Sequence, residues 1–119
     1  MLIVYAYHGC TTCRNALQFL RSRGVGFEER AMRDTPPSGE ELRVALRAVE
    51  GDVRKLCNTS GQDYRSLGWK DKLPGMTPEE VLKALSSNGN LIKRPLALDL
   101  DRGLALVGFK EDEWRRSFA

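Results

Sequence analysis

Two cysteines three residues apart, Cys10 and Cys13 in a Cys-Thr-Thr-Cys run, are the residues of this chain best suited to chemistry. A thiol attacks only as its thiolate, and a free cysteine with a pKa near about 8.5 is mostly protonated at neutral pH. The first turn of a helix offers unpaired backbone N–H groups and the positive end of the helix dipole, both of which favour a thiolate. Cys10 falls where an N-cap belongs and Arg14 lies close by, so Cys10 is the expected nucleophile, with Arg14 helping to stabilise its charge. Cys13, one turn on, is expected to be more buried and placed to resolve a mixed disulfide formed at Cys10. The same unpaired N–H groups can hold an oxyanion.

A metal site is the competing use of such a pair. It would recruit His8 and Cys57 into a Cys₃His set, but the chain has no second Cys-x-x-Cys and no His-x-x-x-His pair. Cys57 stands beside Leu56 in an apolar stretch and reads as a small buried core residue. No metal is expected.

The elements around the pair give it its context. Leu2 to Tyr7 is short, β-branched and aromatic, as a buried strand should be. Cys13, Ala16, Leu17 and Leu20 then repeat at helical spacing until Gly24, a residue suited to a left-handed helix stop. Val25 to Arg30 predicts a second strand. The dithiol thus sits at the first strand-to-helix turn of a β-α-β unit. Ser38 with Glu41 forms a capping box before a helical stripe of Leu42, Ala45, Leu46 and Val49. Short helices are expected at 53–57 and 64–67, and Thr77, Pro78 and Glu80 open another over Val81, Leu82 and Leu85. Strands at 95–100 and 104–107 flank the turn Asp101-Arg102-Gly103, and a last helix over 110–118 puts Trp114 and Phe118 on one face. The expectation is a single α/β domain of thioredoxin-like, glutaredoxin-type order, β-α-β … β-β-α. Its core is 1–35 and 91–119, with an all-helical insertion over 38–90.

The whole-chain balance agrees with that reading. The chain has 119 residues, one domain's worth, and its 19 Lys and Arg are interleaved with 16 Asp and Glu for a net charge of +3. No basic stripe favours direct nucleic-acid binding. No apolar run approaches the roughly 20 residues of a membrane span. MLIVYAY lacks the basic leader and cleavage site of a signal peptide, and three cysteines are an odd count for a secreted disulfide framework. A cytoplasmic location is expected.

Four segments together carry a family resemblance: Cys10-Thr-Thr-Cys13-Arg14-Asn15, then Asn58-Thr-Ser-Gly61 with Tyr64-Arg65, then Leu91-Ile-Lys-Arg94-Pro95, and Val107-Gly-Phe-Lys-Glu-Asp-Glu-Trp114. Over residues 2–118 the chain resembles the arsenate reductase and Spx family, most of all its short arsenate-reductase-like branch. The resemblance implies that Cys10 is the catalytic cysteine and that Arg94, before a cis Pro95, stands beside it. It also implies substrate contacts from Thr11, Thr12, Asn15, Asn58 and Pro95, and no bound cofactor. A guanidinium near the thiolate would stabilise both it and an oxyanion above it.

Arsenate reductases of this family clamp their oxyanion with further arginines. One of those positions is neutral Asn58 here, and Arg102 is a loose candidate for the other. Those reductases usually lack the second cysteine, whereas Spx regulators carry the pair and use its oxidation to control binding to RNA polymerase. This chain stops at Ala119, where Spx has a longer tail. The function expected is a thiol-disulfide oxidoreductase, re-reduced by glutathione or by a thioredoxin or glutaredoxin system, with a small oxyanion as a further substrate class. The alternative is a redox-sensing regulator that binds the RNA polymerase α subunit.

Overall fold

The computed structural model describes residues 1–119. Strand β1 (Leu2–Ala6) is followed by helix α1 (Thr11–Ser22) and strand β2 (Phe27–Ala31). From there to Leu91 the regular elements are all helical. They are α2 (Gly39–Ala48), α3 (Gln62–Ser66), α4 (Trp69–Lys72) and α5 (Pro78–Ser87), with 3₁₀ turns at Val53–Leu56, Leu73–Gly75 and Gly89–Leu91. Strands β3 (Leu96–Asp99) and β4 (Leu104–Val107) and helix α6 (Glu111–Ser117) close the chain.

The four strands lie in the order β2-β1-β3-β4, with β1 parallel to β2 and antiparallel to β3, and β4 antiparallel to β3. Alternation along the central strands builds a core on each face. Leu2, Val4 and Ala6 of β1 meet Cys13, Ala16, Leu17 and Leu20 of α1 and Trp114 of α6. Tyr5 of β1, with Leu96 and Leu98 of β3, faces α2, α5 and the short helices instead. Both expected capping boxes form: Ser38 with Glu41 starts α2, and Thr77 with Glu80 starts α5. Glu41 does more than cap, because its Oε1 also accepts from the Tyr5 hydroxyl at 2.9 Å inside the core. That bond ties the first insertion helix to the central strand.

Strand β2 begins two residues later than the sequence predicts. Helix α1 ends in a Schellman cap, with Gly24 at φ +70°, the Gly24 N–H on the Arg21 carbonyl at 3.1 Å and the Val25 N–H on the Leu20 carbonyl at 3.0 Å. Val25 is thereby used up in closing the helix and cannot start the strand. Helix α4 and the turn at Leu73–Gly75 carry no legible signal, being four and three residues long, yet they deliver buried Trp69 and Leu73 to the core.

Candidate functional site

Helix α1 places the two thiols differently. Cys10 is its N-cap, in extended conformation, and its Sγ accepts from the Cys13 backbone N–H at 3.2 Å. This satisfies one of the helix's orphan donors and holds the sulfur over the first turn. Cys10 is half-buried, while Cys13 is 1% exposed and packed among Val4, Ala16 and Trp114. Burial, reinforced by its hydrogen bond with Cys10, pushes the Cys13 thiol up to about 12, against the opposing pull of the Tyr7 backbone and the Arg94 charge. Cys13 is therefore a protonated thiol at neutral pH, held in reserve behind the accessible Cys10. Burial also pushes Cys57 up to about 11; its Sγ donates to the Val53 carbonyl at 3.4 Å. No group of three metal-ligating side chains gathers anywhere in the chain.

An open groove of about 300 Å³ lies in front of Cys10, lined by Thr12, Asn58, Lys93, Arg94 and the segment from Val107 to Lys110. Three backbone pairings far apart in sequence build it. The Asn58 N–H bonds the Leu91 carbonyl and the Lys93 N–H bonds the Leu56 carbonyl, each at 2.8 Å, around an isolated bridge between Cys57 and Ile92. These bonds bring Asn58 and Lys93 to one rim. The Gly108 N–H bonds the Pro95 carbonyl at 2.8 Å and brings the end of β4 to the other. The Arg94–Pro95 peptide is cis, as the sequence resemblance implies. Behind the Val107–Lys110 wall, the Trp114 indole donates to the Gly108 carbonyl at 3.1 Å, and Phe109 packs edge-on against Trp114 with ring centroids 5.1 Å apart.

Arg94 is partly buried, with its guanidinium 4.3 Å from the centre of the Tyr7 ring. Arg33 lies 4.2 Å from the centre of the same ring, bonds the Tyr7 hydroxyl, and bonds Asn90 Oδ1 at 2.9 Å. Tyr7 thus ties Arg94 to a polar network that runs through Asn90 to Asp63. A second recess of about 220 Å³, lined by Tyr7, Arg33, Gln62, Asp63 and Asn90, shares Asn58 and Arg94 with the first.

Of the residues singled out from sequence, Cys10, Thr12, Asn58 and Arg94 line one groove, with Pro95 forming part of its frame and Cys13 lying beneath Cys10. Arg14, Thr11 and Asn15 do not join them. All three lie on the exposed flank of α1, where Arg14 donates to Thr11 Oγ1 at 3.4 Å. Arg102 bonds the Ser117 carbonyl at 3.0 Å and also lies away from the groove. Lys93, Lys110, Phe109, Tyr7 and Arg33 were not singled out. The first three belong to segments that carry the resemblance, and their neighbours there were the available signal.

The ArsC family matches residues 5–117, and the chain belongs to that family. Its fold is the thioredoxin-like fold of thiol oxidoreductases, elaborated as in ArsC proteins. Among relatives, the uncharacterized protein YusI of Bacillus subtilis is 42% identical over 99% of this chain and 98% of its own length. The global transcriptional regulator Spx of Listeria innocua is 29% identical over 98% of this chain and 86% of its own. The crystal structure of an ArsC family related protein from Bacteroides fragilis superimposes with a TM-score of 0.88 at 36% identity, covering 97% of this chain and 95% of that one.

Proposed function

We propose that the protein is a thiol-disulfide oxidoreductase with Cys10 as nucleophile and Cys13 as resolving cysteine. The observation that carries this is the unequal pair: an accessible Cys10 capping α1 in a groove with Arg94, and a buried, protonated Cys13 one turn behind it. In the first step the Cys10 thiolate attacks a substrate disulfide, the Cys10–sulfur bond forms, and the other half leaves as a thiolate. Cys13 then gives up its proton and attacks Cys10 Sγ, so that the second half leaves and an internal Cys10–Cys13 disulfide remains. Two electrons have passed from the dithiol to the substrate. Glutathione or a thioredoxin system returns them. Arg94 serves as the positive charge that meets the departing thiolate in the groove, and Asn58 and Thr12 as hydrogen-bonding contacts on the substrate.

For arsenate the groove offers one arginine, Arg94; neutral Asn58 adds hydrogen bonds without charge, so the rest of an oxyanion's charge would fall to Lys93 and Lys110. The test is a pair of variants assayed for turnover of a model disulfide. Cys10→Ser should abolish turnover, whereas Cys13→Ser should accumulate a mixed disulfide visible by intact mass. Equal, mild losses in both would reject the assignment.

The likeness to Spx favours a second reading, a redox switch that docks on the RNA polymerase α subunit. A pull-down with the α C-terminal domain, with the dithiol reduced and then oxidised, decides it. Redox-dependent capture supports the switch, and no capture in either state removes it.

A further inference from the structure

The groove in front of Cys10 has an unbalanced charge. Lys93, Arg94 and Lys110 line it and no acidic residue does, and none of the three has a carboxylate within 4.0 Å. The surrounding recesses differ in this respect. The one behind Lys93 contains Asp52, the one behind Lys110 contains Glu50 and Glu113, and the one behind Arg94 contains Asp63. Each of those recesses includes at least one acidic side chain, whereas the groove in front of Cys10 has three cations and none. A concave site lined by one sign of charge concentrates ligands of the other.

Lys93 runs along the wall of the groove: Gly108 stands at φ +74°, and a Cβ there would come within 2.9 Å of Lys93 Cε, so the stem passes over a position without a side chain. Lys110 reaches the same groove from the N-cap of α6, behind the wall that Trp114 and Phe109 hold in place. At about 300 Å³ the space is at the small end of ligand sites and suits a thiol of amino-acid or short-peptide size better than the face of a folded protein.

The geometry points to an anionic low-molecular-weight disulfide as the substrate class of this groove, with Lys93 and Lys110 as its specificity-determining residues. The inference rests on the oxidoreductase reading given above and supplies its substrate. The half that becomes bonded to Cys10 places its carboxylate between the two ammoniums, while Arg94 faces the reacting sulfurs. The bond changes are those already given: one substrate disulfide and the protein dithiol become two free thiols and the Cys10–Cys13 disulfide. No further reductant is needed for a single turnover.

A charge series on one skeleton tests this. The reduced protein is mixed with dithiodipropionate (anionic), hydroxyethyl disulfide (neutral) or cystamine (cationic), and loss of free thiol is followed by acid quench and mass spectrometry. Each rate is divided by that probe's rate with free mercaptoethanol, which removes the difference in leaving-group chemistry. The normalised rates should fall from anionic to neutral to cationic, with an anionic-to-cationic ratio of about tenfold or more at low ionic strength. That ratio should shrink as salt is added. In the double variant Lys93→Gln, Lys110→Gln the ratio should collapse towards one, and the double variant Lys93→Glu, Lys110→Glu, which leaves the groove with net negative charge, should invert it. Equal normalised rates in the unaltered protein would overturn the inference while leaving the oxidoreductase reading standing. A preference that survives the double variant would overturn the role of the lysines. Failure of Cys10 to react with any probe would remove both.

Discussion

Selective alkylation probes the unequal thiols most directly. The perturbation is iodoacetamide applied to the folded, reduced protein. Only thiolates react at a useful rate, so each cysteine is slowed by its own rise in pKa. With Cys13 at about 12 and Cys57 at about 11, against an ordinary 9.0, their thiolates are scarcer than normal by about 10³-fold and 10²-fold near pH 8. Burial adds to this, since Cys13 and Cys57 are 1% and 3% exposed. Peptide mapping by mass spectrometry should find one equivalent of label, on Cys10, before either of the others is half-modified. In denaturant all three should label together, which shows that the fold protects the other two. Modification of folded Cys13 at a rate within about tenfold of Cys10 would refute the reasoning, because neither burial nor its bond to Cys10 would then be holding its proton.

Three further outcomes are expected. Because the folded Cys13 and Cys57 thiols hold protons that the unfolded chain releases from 9.0 upward, the stability they contribute is intact below that pH and lost as pH rises towards 11 and 12. Urea midpoints should therefore decline steadily above about pH 9, less steeply in Cys57→Ala; a flat profile would contradict both shifts. Gly89→Ala should be severely destabilised, by about 3 kcal/mol or more, because a Cβ there would stand 1.9 Å from the Met32 carbonyl oxygen; thermal melts by circular dichroism read this directly. Trp114→Phe keeps most of the packing but loses the indole bond to the Gly108 carbonyl, at a cost of about 1 kcal/mol plus the volume change. It should also weaken the preference for anionic disulfides, since the wall that Trp114 braces carries Lys110, and an unchanged preference would show that the wall does not position that charge.

What the sequence made legible was what local interactions decide. The N-cap position of Cys10, the two capping boxes, the left-handed stop at Gly24 and the end of the closing hairpin at Gly103 each depend on a few neighbouring residues, and each appears in the structure. What it hid was decided at a distance. Arg14 follows Cys10 closely in the chain, but the helix turns it onto the flank shared with Thr11, away from the groove. Lys93 and Lys110 reach the groove only because residues 56–58 pair with 91–93 and Gly108 pairs with Pro95. Nothing within a few residues of either lysine encodes that meeting. Tyr7 and Arg33 are separated by α1 and β2, and their stack is a product of the parallel pairing of β1 with β2.

The bridge between Cys57 and Ile92 has a consequence for how this architecture can vary. It staples the chain into a closed loop, so that α3, α4 and α5 hang between two points fixed beside the groove. Loop closure depends only logarithmically on length, with a doubling costing about 0.6 kcal/mol. Extra residues accepted at the exposed Leu67–Gly68 junction would lengthen that loop without moving Asn58 at one end or Lys93 at the other. The chain thus contains a closed loop whose ends are pinned beside the reactive centre, where an insertion at that one junction could add surface while the dithiol keeps its surroundings.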